Sequence, residues 1–266
     1  MEVIELSWWQ LSIAVALVLL LALVTHLSRL GLTRNLLTGV LRTIIQLALI
    51  GLVLEALFAV GSLLWVSLLA ITMLLLAGRE VMARQKRRLT GIWAYGIGTL
   101  SMFVSSFSVA LLTLIIIIGP EPWYTPQYAI PLLGMLLGNT MTGVALSLDR
   151  LTEMAWQQRQ AIENRLLLGQ TWQHALGDVR REALRAGMIP SINAMAAAGI
   201  ISLPGMMTGQ ILAGTAPALA VKYQILIMLI IVLGTGLGTL LAVLAGSRRL
   251  FDQRQRLRLD RMKKVG

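Results

Sequence analysis

The twenty-residue stretch AIPLLGMLLGNTMTGVALSL, residues 129–148, decides the fold class of this chain. It contains no charged side chain, and about 20 mostly apolar residues in an α-helix are enough to cross a hydrocarbon core of about 30 Å. An asparagine and two threonines nevertheless lie in its second half. The stretch is therefore typical of a membrane-spanning helix that carries a polar cluster within the membrane.

The rest of the chain repeats this pattern. Of its 266 residues, 57% are hydrophobic and 13% are charged, and the apolar residues form continuous runs. Further spans are predicted at residues 11–27, 36–60, 62–78, 92–118, 187–214 and 219–246, with an interruption at Pro204 in the sixth of the seven. Continuous runs, without alternating ten-residue segments, indicate helices and not a membrane barrel. We predict an all-α polytopic membrane protein with about seven spans, forming one transmembrane domain over residues 1–266.

The first apolar run is predicted to be a span and not a signal peptide. Its flank MEVIELSWWQ, residues 1–10, is acidic and lacks a basic n-region, and no small-residue cleavage site follows. Trp8 and Trp9 suit the membrane interface.

Basic residues predict the orientation. If the amino terminus lies outside, all 23 Lys and Arg residues except Lys222 fall in inner segments or, like Arg42, near the inner surface. The positive-inside rule then favours an N-out, C-in topology in the cell membrane, whether called inner or plasma membrane. The inner parts include a loop over residues 149–187 and a basic tail over residues 247–266.

Charge and cysteine content limit the partners. The net charge of +11 suits inner loops held at an anionic lipid leaflet. Nucleic-acid binding is disfavoured, because the charge is dispersed over several loops without interleaved aromatic residues. The chain has no cysteine, which excludes disulfides and thiolate metal sites.

Motifs for catalysis are missing from the sequence. No G-x-x-x-x-G-K-[ST] phosphate loop and no Gly-Lys dipeptide occur, and a G-x-S-x-G elbow is absent. His26 and His174 stand alone, as surface or packing histidines usually do. We therefore predict a non-enzymatic chain with no catalytic residues.

The inner segment over residues 150–187 is helix-prone and amphipathic. Apolar residues recur along it, so it is expected to lie against the membrane or a partner. Gly169 is predicted to divide it into two helices, the second starting at Thr171 as N-cap and running to Ala186.

The continuation REALRAGMIPSINAMAAAGIISLPGMM, residues 181–207, resembles the EAA loop of ABC-transporter permeases. In those proteins the loop is a short cytoplasmic helix that docks into the ATP-binding subunit. The matching positions here are Arg181, Glu182, Ala183, Gly187, Ile201, Leu203 and Pro204. An arginine stands at the first acidic position, and the gap after Gly187 is about one helical turn longer than in the usual importers.

A resemblance over nearly the whole chain is carried by RTIIQLALIG (42–51), IPLLGMLLGNTMTGVALSLDRL (130–151), LLLGQTWQHAL (166–176), AGMIPSINAMAAAGIISLPGMMTGQILAG (186–214) and AVKYQILIM (220–228). These stretches are similar to those of the FetB (YbbM) family of ABC permeases. The resemblance implies the membrane half of an iron exporter, paired with a separate ATPase called FetA. ATP and magnesium would be bound by that partner, and no cofactor by this chain. Plant members are linked to aluminium tolerance.

The resemblance implies a coupling segment between the fifth and sixth spans. Its expected residues are Gly169, Thr171, Ala175, Arg181, Glu182, Ala183 and Gly187. In this interpretation Glu182 faces the ATPase. Seven spans do not easily enclose a pathway, so a permease homodimer working by alternating access is expected.

A second set of residues is expected at the transport pathway, because polar side chains at membrane depth normally face the bundle interior or a water-filled cavity. The candidates are Gln46, Glu55, Asn139, Thr140, Thr142, Asn193, Pro204, Met206, Met207 and Gln210. Asn139 serves either the pathway or helix packing, and packing is favoured for the two threonines.

The metal ligands stay unassigned. Pro204 frees carbonyls that suit a cation, whereas the thioethers of Met206 and Met207 favour a soft metal or simply fill gaps. Glu55 either snorkels outward, which is favoured, or acts as an exit ligand. The alternatives for the whole chain are export of another metal or of a nucleotide sugar, or a membrane scaffold or sensor without transport.

Overall fold

Helices carry almost all of the chain in the computed structural model, which describes residues 7–264. The acidic positions of the amino-terminal flank and the last two residues of the basic tail lie outside the described residues. The helices are α1 Trp8–Leu27, α2 Thr33–Val60, α3 Leu63–Ala83, α4 Trp93–Ile118, α5 Pro126–Gln157, α6 Arg159–Leu167, α7 Trp172–Ala175, α8 Gly177–Ala197, α9 Gly205–Leu212 and α10 Pro217–Arg249. Two short strands, β1 Arg87–Leu89 and β2 Met262–Lys264, pair antiparallel. The predicted all-α class is confirmed.

Within residues 7–264, six helices are long and apolar enough to cross a membrane: α1 to α5 and α10. Six of the seven predicted spans fall on these helices. The predicted span over residues 187–214 is instead divided between the end of α8, a turn over residues 198–204, and α9. Pro204 is the N-cap of α9, so the predicted break occurs there.

The divided segment runs alongside α10. Gly187 of α8 lies so close to Thr239 that an added Cβ would be 2.7 Å from its Cγ2 atom. Further along, the Met207 backbone N–H donates to Gln224 Oε1 at 3.3 Å. Gln224 and Thr239 are fifteen residues apart on α10, which corresponds to about 22 Å. The segment from Gly187 to Met207 therefore has the geometry of an interrupted crossing.

The core lies between α5, α8 and α10, which pack on one another, with α3 and α4 against α5. In its most apolar window α5 is 56% buried, whereas α2 is only 6% buried. The α1 and α2 helices pack mainly on each other. The bundle therefore has a dense centre and a loosely attached α1–α2 pair.

The predicted basic tail is folded, which corrects its description as a simple tail. Phe251 pairs with Leu257, and β2 pairs with β1 from residues far earlier in the chain. The Arg261 guanidinium donates to the carbonyls of Arg249 and Phe251, at 2.9 Å and 3.0 Å. We call the end of the bundle that holds β1, β2, α6 and α7 the basic end.

Candidate functional site

The polar cluster of α5 is divided between two faces of the helix. Thr140 is fully buried and packs against Gly238 of α10. Asn139 is exposed, and its Nδ2 donates to the Met135 carbonyl of the same helix at 2.8 Å. Thr142 likewise donates to the Gly138 carbonyl at 3.1 Å. The buried hydroxyl is thus a packing group, as favoured for Thr140, while the amide points away from the protomer.

An exposed amide in the middle of a spanning helix is an unusual feature. Asn139 lies thirteen residues from Pro126, about 20 Å along α5. Polar side chains at membrane depth are costly in lipid and normally face protein or a water-filled cavity. The face of α5 that carries Asn139 is therefore the part of this helix best suited to a pathway or to a second copy of the chain.

Asn193 of α8 lies at about the same depth as Asn139. The two helices are antiparallel and meet at Gly143 and Gly187, where an added Cβ on Gly187 would be 2.6 Å from the Gly143 carbonyl oxygen. Asn139 is four residues and Asn193 six residues from this crossing, about 6 Å and 9 Å towards the same end. Both side chains are exposed in the protomer.

The α9 candidates lie near the opposite end of α10. Pro204 and Met207 line a pocket of about 470 Å³, together with Met195, Gln224 and Met228. Met206 is partly buried against the core. Gln210 Oε1 is buried and has no hydrogen-bond partner among the described residues.

No carboxylate site for a metal forms in the described part of the chain. Within residues 7–264, no group of three or more His, Cys, Asp or Glu side chains converges. Gln46 and Glu55 are exposed on α2 and stand apart from the α5 and α9 candidates. The predicted pathway residues thus form separate groups, and any cation near α9 would meet amide, carbonyl and thioether groups.

A lobe at the basic end contains the predicted coupling residues at its start. It is built from α6, α7, the first turns of α8 and the folded tail. The Trp172 N–H donates to Gln255 Oε1 at 3.0 Å, and its ring lies 5.6 Å from that of Phe251. Ala175 is buried beneath this contact region. These contacts attach the lobe to the end of α10.

The predicted break at Gly169 is confirmed, since α6 ends at Leu167 and Gly169 has a φ of +84°. Thr171 is the N-cap of α7, but its hydroxyl pairs with His174 Nδ1 at 2.9 Å and makes no capping bond to a backbone N–H. The predicted second helix is wrong in extent. It is divided at Leu176, and its main part, α8, continues past Ala186 to Ala197.

Sequence reasoning missed the most exposed apolar feature of the lobe. Leu167 and Leu168 are 85% and 82% exposed at the turn between α6 and α7. Open clefts of about 690 Å³ and 760 Å³ lie on either side, and Gly169 and Gln170 line both. We call residues 167–171 the lobe turn. The three consecutive leucines before a glycine were its signal, but their burial differs only in the folded lobe.

The other coupling candidates lie on α8, away from the lobe turn. Ala183 and Gly187 are buried against neighbouring helices. Glu182 is half-buried, and its Oε1 lies 3.3 Å from Arg150 Nη2 of α5. Arg181 is exposed and pairs with Asp178.

Asp178 joins α6 to α8. Its Oδ2 accepts from Arg165 at 2.9 Å, and its Oδ1 accepts from Arg181 at 2.5 Å. The hydrogen bond from Arg165, followed by that from Arg181, lowers the pKa of Asp178 below its ordinary value of 3.8. The carboxylate therefore stays ionised at neutral pH and keeps both arginines in place.

Comparison with known proteins gives matches along the whole length. A family model described as "Uncharacterised protein family (UPF0014)" matches residues 8–251. The UPF0014 membrane protein slr1647 of Synechocystis sp. is 39% identical over 263 residues, which cover 96% of this chain and 97% of that protein. The "Probable iron export permease protein FetB" of Escherichia coli is 32% identical over 255 residues, 96% of each chain.

A plant relative and the solved structures complete the comparison. "Protein ALUMINUM SENSITIVE 3" of Arabidopsis thaliana is 31% identical over 215 residues, 81% of this chain and 77% of that protein. No solved structure matches this chain. The sequence resemblance drawn from the stretches at 130–151 and 186–214 is confirmed by these matches. Since the family model covers most of the chain and its relatives align nearly end to end, this protein belongs to the UPF0014 family of membrane proteins.

Proposed function

We propose that this chain is the membrane-spanning permease subunit of an ABC exporter that moves iron out of the cell. The observation that carries the proposal is the similarity over 96% of both chains to a protein named as an iron export permease. The absence of a phosphate-loop motif from the sequence agrees with a separate ATP-binding subunit. The pathway lies in the membrane helices, and ATP with magnesium is bound by the partner.

The lobe turn is the proposed contact with the ATP-binding subunit. Two adjacent leucines are exposed there, whereas Ile162, Ala175 and Leu176 of the same lobe are buried. Apolar side chains that protrude between open clefts are the usual anchors of a protein interface. Because α7 leads into α8, and α8 packs between α5 and α10, a push on the lobe turn moves the central helices.

A homodimer is proposed because one protomer leaves its polar α5 face uncovered. Met135, Gly138, Asn139, Thr142 and Leu146 follow one another at helical spacing on the open side of this helix. A second copy packed here shields the Asn139 amide from lipid, and Gly138 lets the two backbones approach. The pathway then lies between two symmetry-related α5 faces.

Another metal cargo is the second candidate. Met195, Met207 and Met228 line one pocket, and thioethers prefer softer cations than ferric iron. The name of the Arabidopsis relative refers instead to aluminium, a hard cation. The cargo test therefore needs a panel of metals.

The proposal is tested by co-expressing the tagged chain with an ATP-binding subunit encoded beside it and purifying the complex in mild detergent. After reconstitution into proteoliposomes, we expect ATP-dependent movement of iron and iron-stimulated ATP hydrolysis. Aluminium, zinc, copper(I) and a nucleotide sugar are compared at equal concentration. A chain that purifies alone in repeated preparations, or a complex that hydrolyses ATP without moving any of these solutes, rejects the exporter and favours a scaffold or sensor.

Asn139→Leu is expected to reduce transport by at least about tenfold without unfolding the protomer. The Asn139 amide bonds only within its own helix, so its loss removes a group from the pathway but no contact between helices. Transport is measured in proteoliposomes and stability by thermal melting. Thr72→Val is the matched control, since this exposed hydroxyl of α3 also bonds only to its own helix, at Leu68. Equal transport by both variants would remove Asn139 from the pathway.

Glu182→Lys is expected to uncouple ATP hydrolysis from transport. Glu182 contacts Arg150 of α5, so the reversal sets two cations against each other at the base of α8. The swap Glu182→Lys with Arg150→Glu distinguishes two causes. Recovery of transport in the swap means that the α5–α8 pair matters, and no recovery means that Glu182 meets the ATPase directly. An intact transport rate in Glu182→Lys itself contradicts any coupling role.

A further inference from the structure

A polar cleft of about 380 Å³ lies between α2 and α3 near the basic end, apart from the α5 face and the lobe turn. Its polar lining comprises Arg42, Thr43 and Gln46 of α2 and Arg79, Glu80 and Arg84 of α3. Of these, only Gln46 was a pathway candidate. The cleft is notable because it exists where two spanning helices would otherwise pack.

The cleft carries an excess of positive charge. Arg42 Nη2 lies 3.0 Å from Glu80 Oε1, and this is the ion pair that bridges the two helices. Among residues 7–264, neither Arg79 nor Arg84 has an ion-pair partner, and both are exposed. Three guanidinium groups therefore face one carboxylate. Guanidinium groups bind phosphate oxygens through paired N–H donors, so the site suits a phosphate anion.

The surroundings of the cleft are apolar and open to the side. Leu41, Ile44, Ile45 and Leu47 are exposed on α2, and Leu76 is exposed on α3. Every residue from 41 to 49 is exposed, so this stretch of α2 has no helix against it in the protomer. Arg42 lies nine residues into α2, about 14 Å from its first residue. A basic pocket with apolar walls on spanning helices has the polarity pattern of a phospholipid, with headgroup and acyl chains.

We propose that this cleft binds the phosphate headgroup of an anionic phospholipid, whose acyl chains lie along the exposed surfaces of α2 and α3. The lipid would neutralise the excess charge of Arg79 and Arg84 next to the membrane, where unpaired charge is costly. It would also join the α1–α2 pair to the bundle, replacing protein contacts that α2 lacks. Lipid is preferred to free phosphate because the cleft opens between membrane helices and not into the lobe.

The test measures lipid binding to the full chain. Purified protein is supplied with phosphatidylglycerol or phosphatidylcholine, and bound lipid is counted by native mass spectrometry. We expect phosphatidylglycerol to be retained preferentially. The double variant Arg79→Gln with Arg84→Gln should bind it roughly tenfold more weakly, since each basic residue near a membrane surface contributes about 1 kcal/mol. Arg248→Gln with Arg254→Gln is the matched control, because it removes the same net charge from exposed residues elsewhere at the basic end.

Further arms keep the result decisive. Glu80→Gln removes the single carboxylate of the cleft and should strengthen phosphatidylglycerol binding. Equal retention of the two lipids by the unmodified chain overturns the proposal without any variant. Equal loss of binding in the cleft variant and the control also overturns it, because general surface charge is then sufficient. Stabilisation by about 10 mM inorganic phosphate, matching that by phosphatidylglycerol, would assign the cleft to a soluble phosphate and reject the lipid.

Discussion

Gly187→Ala is expected to lower the melting temperature of this protein by roughly 5–10 °C, although it adds one methyl group. The new Cβ would lie 2.6 Å from the Gly143 carbonyl oxygen and 2.7 Å from Thr239 Cγ2. The first of these atoms belongs to a backbone and has no rotamer that relieves the contact. The α8 helix must therefore move away from α5 and α10, at a cost of about 1–3 kcal/mol or more.

The matched control is Gly96→Ala on α4, where an added Cβ meets no atom within 4 Å. Alanine is a better helix former than glycine by about 1 kcal/mol, so this control should be neutral or slightly stabilising. The two substitutions are chemically identical and should differ in sign. Melting is followed in detergent by tryptophan fluorescence. A melting temperature of the Gly187→Ala protein within about 2 °C of the control would mean that α8 does not cross α5 as tightly as described.

Replacing Leu167 and Leu168 together by Asp is expected to weaken binding of the ATP-binding subunit by about 10- to 100-fold. Two apolar anchors of an interface are lost, and each commonly contributes more than 1 kcal/mol. The permease itself should keep its melting temperature, because both side chains are more than four-fifths exposed. Binding is measured by titrating the purified ATP-binding subunit onto immobilised permease, and coupling by stimulation of ATP hydrolysis.

The control for the lobe turn is Gln160→Asp with Gln173→Asp. These residues are exposed on α6 and α7 and receive the same added charge without loss of an apolar side chain. If the unmodified permease binds and the leucine variant binds equally well, the lobe turn is not the docking surface, although the exporter can still stand. If the unmodified permease never binds such a subunit, the exporter itself is rejected.

The membrane helices were predictable because their signal is local. The run over residues 11–27 lies inside Trp8–Leu27, and the run over residues 219–246 lies inside Pro217–Arg249. A helix in lipid satisfies its backbone hydrogen bonds within its own segment, so apolar length is enough to detect it. Gly169 and Pro204 were also read correctly, since positive φ and a missing N–H are properties of single residues.

The folded tail and the extent of α8 were not predictable in this way. Met262 pairs with Leu89, and Trp172 packs on Phe251, contacts between residues far apart in the chain. Nothing in the local pattern of the tail distinguishes a solvated basic segment from a strand. The position of Glu182 beside Arg150 also depends on how α8 docks on α5.

The amino-acid sequence by itself determined that this is a polytopic helical membrane protein of the UPF0014 family, and where its helices break. Only the tertiary structure decided the roles of neighbouring polar residues. Asn139 and Thr140 are adjacent in sequence, but successive residues of an α-helix point about 100° apart. Packing of α8 and α10 buries the Thr140 side and leaves the Asn139 side open. Which direction meets protein depends on the neighbouring helices, and the sequence of α5 alone does not contain them.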